Sequence, residues 1–361
     1  MIKFPLVLLF TAMTALFWGV YGILLHRGTD LLAHSSLRAF VGVGIAYFLI
    51  AILVPAIWLS SKPEKGHWSF MGVLLSLLAG TVGALGALGV TLAVSFKGNP
   101  IYVMPIVFGS APVINTLVTA GINKSFSQMK PLFLLGLLLV ALGAVGVLVN
   151  KPAPTRAVAV QQAEVEETPS AEKHVEAKSE AVNPFAIGAS IVLAVVCWGA
   201  YGPVLHVGQT KMGGSRLRPF CCVGIAYFII AVAVPVLILM AAPSGINMSW
   251  GDLIPGMMWS IFAGAAGALG ALGIILAFNY GGKPVFVMPL VFGFAPVINT
   301  FVSMIVGGTL GKITPMFIGS LLLGIAGAVT VLVFAPKSKP HGKPADLPHG
   351  SAATPIAEPK A

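Results

Sequence analysis

The sequence predicts an all-α membrane protein of ten transmembrane helices, arranged as two inverted five-helix repeats. Three observations lead there. The 361 residues are 57% hydrophobic and only 9% charged, where water-soluble chains carry roughly 25% charged residues, so lipid is the natural solvent for most of the chain. Apolar runs long enough to cross a bilayer recur along it. The second set of runs also repeats the first, motif by motif.

A hydrocarbon core of about 30 Å needs roughly 20 apolar residues per helix. Read with that ruler, the first five spans lie near Pro5–Leu25, Ala39–Leu59, Phe70–Phe96, Pro100–Ile122 and Pro131–Val149. The second five lie near Pro184–Leu205, Phe220–Met240, Leu253–Phe278, Pro284–Val306 and Pro315–Phe334. The third and eighth runs are long enough to tilt or bend. Residues 1–149 and 184–334 therefore form the two repeats. The segment 150–183 is rich in Ala, Glu, Lys and Pro and lacks aromatic residues. With so little to bury, it reads as a disordered linker, and the Pro- and Lys-rich tail 335–361 reads the same way.

The repeat is explicit. Trp18-Gly19-Val20-Tyr21-Gly22 with Leu25-His26 returns as Trp198-Gly199-Ala200-Tyr201-Gly202 with Leu205-His206. Arg38-Ala39-Phe40 and Val43 through Phe48 return as Arg218-Pro219-Phe220 and Val223 through Phe228. Gly83-Ala84-Leu85-Gly86-Ala87-Leu88-Gly89 returns unchanged at Gly267 through Gly273. Val103-Met104-Pro105 and Ala111 through Thr116 return as Val287-Met288-Pro289 and Ala295 through Thr300. The displacement is 180 residues at Trp18 and Trp198 and 184 at Pro105 and Pro289, so only loops changed length.

The repeat also bears on the first run, which follows Lys3 and could pass for a signal peptide. Its copy lies inside the chain, so a retained helix is expected. Five spans is an odd number, so the second copy enters the membrane from the opposite side. Counting Lys and Arg favours the N-terminus inside, which puts both termini in the cytoplasm of a multi-pass protein, in a bacterial inner membrane.

Net charge is +10 because acids are scarce, 11 against 21 Lys plus Arg. Six of those acids lie between Glu164 and Glu180, and none lies mid-span. No Lys/Arg stripe interleaves with aromatics, which argues against nucleic acid. The basic ends instead suit anionic headgroups. Cys197, Cys221 and Cys222 show no metal or disulfide spacing. There is no G-x-x-x-x-G-K-[ST], hence no ATP motor in this chain. No acidic pair or H-E-x-x-H points to an enzyme. No cofactor or metal is expected.

Inverted repeats in membrane proteins are typical of alternating access around a midplane site. The fourth and ninth spans carry unusual chemistry. Pro105, Pro112, Pro289 and Pro296 each remove a backbone donor and kink a helix, and freed carbonyls in a bilayer must face protein or a wet cavity. Asn115 and Asn299, each followed by Thr116 and Thr300, offer both donor and acceptor to a solute, or serve as interhelical glue. Trp18, Tyr21, Trp198 and Tyr201 offer stacking faces and hydroxyls, or simply fill space. His26 with Arg38, and His206 with Arg218, bracket equivalent loops at opposite mouths. They are gate candidates, or snorkelling side chains. The glycine series from Gly80 and from Gly264 let backbones approach closely.

Two five-helix repeats with a W-G-x-Y-G opening and a proline-bearing fourth helix, Ala111-Pro112-Val113 and Ala295-Pro296-Val297, resemble the drug/metabolite transporter superfamily in its ten-helix, EamA-like form. The resemblance covers everything but linker and tail. It implies a central cavity lined by the first, third and fourth helices of each half, with the fifth helices as scaffold. Many members follow the fourth helix with Leu-Gly-Glu. Here Gly121-Ile122-Asn123-Lys124 and Val306-Gly307-Gly308-Thr309 stand instead, a difference that favours a sugar- or metabolite-porter branch. The expectation is a secondary transporter of a small polar or amphipathic metabolite. The alternative is a non-transporting membrane sensor or assembly factor on the same scaffold. The expected partners are a small-molecule solute and the lipid bilayer, with a homodimer as an option.

Overall fold

The computed structural model describes residues 4–61, 64–122, 124, 126–128, 130–150, 183–241, 250–280 and 284–334. Residues 151–182 and 335–361, on which the linker and tail expectations fall, lie outside them. All regular structure among the described residues is helical: α1 (Phe4–Leu31), α2 (Ser36–Ser61), α3 (Phe70–Ser95), α4 (Pro100–Ile122), α5 (Pro131–Val149), α6 (Pro184–Lys211), α7 (Leu217–Ala241), α8 (Trp250–Asn279), α9 (Pro284–Val306) and α10 (Pro315–Val333). Seven of these, α1 to α4 and α6 to α8, are long and apolar enough to cross a membrane. The remaining three hold shorter apolar stretches, Pro131–Val147, Leu290–Val306 and Pro315–Val331.

Helix starts follow local chemistry. Proline opens α4, α5, α6, α9 and α10, a position where its missing N–H leaves no bond unmade and its fixed φ suits a helix. Side chains cap several of these starts. Asn183 accepts from the Ala186 N–H at 3.1 Å, Ser69 from Gly72 at 3.1 Å and Thr314 from Phe317 at 3.2 Å. Helix α1 runs past its apolar stretch to Leu31 and stops only where Ala33 and His34 turn left-handed, with φ of 50° and 55°. α7 departs from its repeat partner α2: Phe228–Ala233 is π-helical, whereas α2 is α-helical throughout.

The two halves do not stand side by side; they interlock. α1 packs along α8, and α6, its repeat equivalent, packs along α3. α1 also meets α9, just as α6 meets α4. α2 likewise packs on α8, and its equivalent α7 on α3, while three further contacts join repeat equivalents: α2 with α7, α4 with α9 and α5 with α10. Each of these equivalent pairs runs antiparallel. Gly44 faces Ala231 while Ala51 faces Gly224. The Pro100 carbonyl meets Asn299 while Phe108 meets Phe292. Gly136 faces Val331 while Gly146 faces Ser320.

Among apolar helices, close approach of small residues replaces hydrophobic burial as the means of association. A Cβ on Gly19 would lie 2.6 Å from the Ile298 side chain, and one on Gly199 would lie 2.5 Å from that of Ile114. On Gly86 and Gly270 a Cβ would collide with the indoles of Trp198 and Trp18. The glycines of W-G-x-Y-G and G-A-L-G-A-L-G thus seat one half against the other.

Candidate functional site

Trp18 and Trp198 occupy matching places. The Trp18 indole N–H donates to the Gly267 carbonyl at 3.2 Å, and the Trp198 indole donates to Gly83 at 3.1 Å. Each bond crosses from one half's first helix to the other half's third. With both N–H groups engaged, the indoles present their faces. The Phe108 ring lies between them, 6.1 Å from Trp18 and 6.0 Å from Trp198, and Phe292 is 6.4 Å from Phe108.

Next to this aromatic row stand four tyrosines. Tyr21 meets Trp198 edge-on at 6.0 Å. Tyr47 and Tyr227, equivalent in the repeat, stack on each other at 3.8 Å with planes 7° apart. Tyr21 lies over Gly267 and Tyr201 over Gly83, so G-A-L-G-A-L-G makes room for phenols as well as for indoles. The Tyr21 hydroxyl is buried beside that of Thr91, which donates to the Ala87 carbonyl at 2.8 Å.

The asparagines flank this centre. Asn299 is fully buried, and its Nδ2 donates to the Pro100 carbonyl at 2.8 Å, across the halves. Its Oδ1 has no partner and faces Gly22. Asn115 lies against Gly202 through its Nδ2 instead. Thr116 donates back to the Pro112 carbonyl at 2.9 Å, while the buried Thr300 hydroxyl has no partner. Pro105 and Pro296, with Gly109 and Phe292, line a small, open apolar cleft against α5 and α10. Pro112 is buried in α4, and Pro289 falls within α9.

The mouth residues part company. His26 is half-buried at the end of α1, 3.6 Å from Asp30, which lies equally close to His34. Arg38 is half-buried and His206 exposed. Arg218 belongs to a dense cluster. Its Nη1 donates to Ser215 Oγ at 3.2 Å and to the Glu64 carbonyl at 3.4 Å. The Glu64 carboxylate accepts from Ser215 Oγ at 2.7 Å and from the backbone N–H groups of Arg216 at 3.0 Å and Leu217 at 3.3 Å. A carboxylate at the first turn of α7 is favoured by that helix's dipole. Burial pushes the Arg216 guanidinium down from its ordinary range, and Glu64 pulls it back up.

Sequence reasoning singled out Trp18, Tyr21, Trp198 and Tyr201, which the fold gathers in one place, but it passed over Tyr47, Tyr227, Phe108, Phe292 and Glu64. The signal for the tyrosines was present, since both stand in the repeated stretch Val43 through Phe48 and Val223 through Phe228. Glu64 belongs to no repeated motif. Among the described residues no group of His, Cys, Asp and Glu is placed to hold a metal ion. No protein-family model matches the chain, and no curated protein matches it.

Proposed function

We propose that the chain is a ten-span membrane transporter whose two halves are inverted across the bilayer and that it carries a small, uncharged, polar or amphipathic solute by alternating access. The observation that carries this reading is the antiparallel packing of repeat-equivalent helices, α2 on α7, α4 on α9 and α5 on α10. Two copies of one unit packed this way are related by an axis in the membrane plane, the arrangement from which rocking transporters are built. With the N-terminus inside, the Glu64 cluster lies on the cytoplasmic face.

The centre indicates the solute's character. Trp18, Trp198 and Phe108 supply flat faces. Tyr21 and Asn299 supply hydroxyl and amide groups not fully used within the protein. No Asp, Glu, Lys or Arg stands in the middle of any helix. A bare charge there would be costly to hold, so a neutral solute with an apolar face and hydrogen-bonding groups fits best. Purified protein in liposomes, tested for uptake of neutral sugars, nucleosides and aromatic metabolites, checks the reading. Solute-specific flux that falls in Tyr21→Phe or Asn299→Ala supports it. Absence of flux across a broad neutral and charged panel would favour a sensor.

A further inference from the structure

The loop between α2 and α3 belongs to the first half, yet its bonds go to the second. Besides the carboxylate of Glu64 on Ser215, Arg216 and Leu217, the His67 N–H donates to the Met212 carbonyl at 3.1 Å. Ser69 Oγ donates to the Lys211 carbonyl at 2.7 Å. Gly66, at φ 115°, lets the loop lie directly on Met212 and Ser215. The whole corner between α6 and α7 is thereby fastened to the other half at one end of the bundle.

The corner itself repeats, Ser215-Arg216-Leu217-Arg218 matching Ser35-Ser36-Leu37-Arg38. In the sequence Met248 stands where the displacement of 184 residues would put a copy of Glu64, and the next acid is Asp252 in the first turn of α8. A half-buried carboxylate receiving three donors is a strong tie, since charge-assisted bonds are roughly twice as strong as neutral ones.

We infer that Glu64 is the fastener of one gate: it holds the halves together at the α6–α7 corner, and this mouth opens only when the carboxylate leaves Ser215 and the first turn of α7. The inference rests on the alternating-access reading for its role, but the closure itself can be tested without any solute. Ser76 is fully buried on α3, beside Gly208, and seven residues beyond Ser69 it lies about 10 Å inside that mouth.

In a chain with Cys197, Cys221 and Cys222 replaced by alanine, Ser76→Cys reports whether the mouth is open through its labelling rate with a membrane-impermeant methanethiosulfonate. The expected result is slow labelling with Glu64 present and at least tenfold faster labelling in Glu64→Ala. Glu64→Gln, which keeps the shape, should also be faster. Unchanged rates in both variants would overturn the inference. Should Glu64→Ala fail to fold, the isosteric Glu64→Gln decides alone. A paired Glu64→Cys and Ser215→Cys variant, bridged by a short bifunctional thiol reagent, should stop solute flux in liposomes. Flux that survives the bridge removes the gate and leaves the transporter reading. Faster labelling without flux in any variant removes the transporter reading and leaves the closure.

Discussion

Gly86 and Trp198 sit in different halves, and the fold requires them to fit each other. Gly86→Ala would add a Cβ where the Trp198 indole lies. Overpacking of this kind costs about 1–3 kcal/mol. Alanine's better helix preference returns about 0.5–1 kcal/mol, so the net expectation from the middle of each range is a loss of about 1 kcal/mol. Trp198→Phe removes the bond to the Gly83 carbonyl, at about 0.5–1.5 kcal/mol for a typical hydrogen bond, together with part of the ring. Phe lacks Nε1, one of the atoms nearest the new methyl, and a ring no longer tethered to the Gly83 carbonyl is free to tilt away from it. The double variant should therefore lose less than the sum of the single losses, with a coupling of about 1 kcal/mol, inside the range seen for contacting residues. Equilibrium unfolding in mixed micelles, followed by tryptophan fluorescence, measures all four corners of the cycle. The pairing is specific: Gly86→Ala with Trp18→Phe should be additive within about 0.5 kcal/mol, while Gly270→Ala should couple to Trp18→Phe. Rescue by the wrong tryptophan, or a neutral Gly86→Ala, would refute the interlocked packing.

Three further outcomes follow from the geometry. Asn299→Ala leaves the Pro100 carbonyl without its 2.8 Å donor and should cost about 1–3 kcal/mol in the same unfolding assay; an unchanged midpoint would mean the bond is not made. Tyr47→Phe keeps the stack on Tyr227 and should change stability by less than about 1 kcal/mol. Tyr47→Ala removes a buried ring and should cost about 3–5 kcal/mol, so equal effects of the two would contradict the stacked pair. Cys222, at 2% exposure, should react with N-ethylmaleimide more slowly than the half-buried Cys221 beside it, as mass spectrometry of the labelled peptide would record.

Several helix bounds could be read directly from residues. Expected and observed limits coincide for Pro100–Ile122, Pro131–Val149 and Pro284–Val306, because proline marks each start. The ruler fell short at α1 and α6, which continue six residues past the expected Leu25 and Leu205 to Leu31 and Lys211. Hydropathy measures the apolar stretch, whereas a helix ends where its backbone turns, here beyond His26 and His206. The repeat flagged Trp18 and Trp198 without revealing their partners. Whether an indole donates to a solute or to Gly267 depends on which helices touch, and no periodicity within one helix encodes that. Asn299 shows the same limit: of its two anticipated roles the amide nitrogen serves as glue, while the oxygen is still without a partner. Glu64 was invisible for the opposite reason. It stands alone in a polar loop, and its value comes entirely from docking on a corner some 150 residues away in sequence (Glu64 to Ser215).

Alternating access in this chain requires two similar bundles facing opposite ways through the bilayer. Sidedness of the segment joining them tests this most directly. Epitope or reporter tags placed within 150–183, and separately at each end of the chain, should report the joining segment on one side of the membrane and both ends on the other. A joining segment on the same side as the two ends would contradict it.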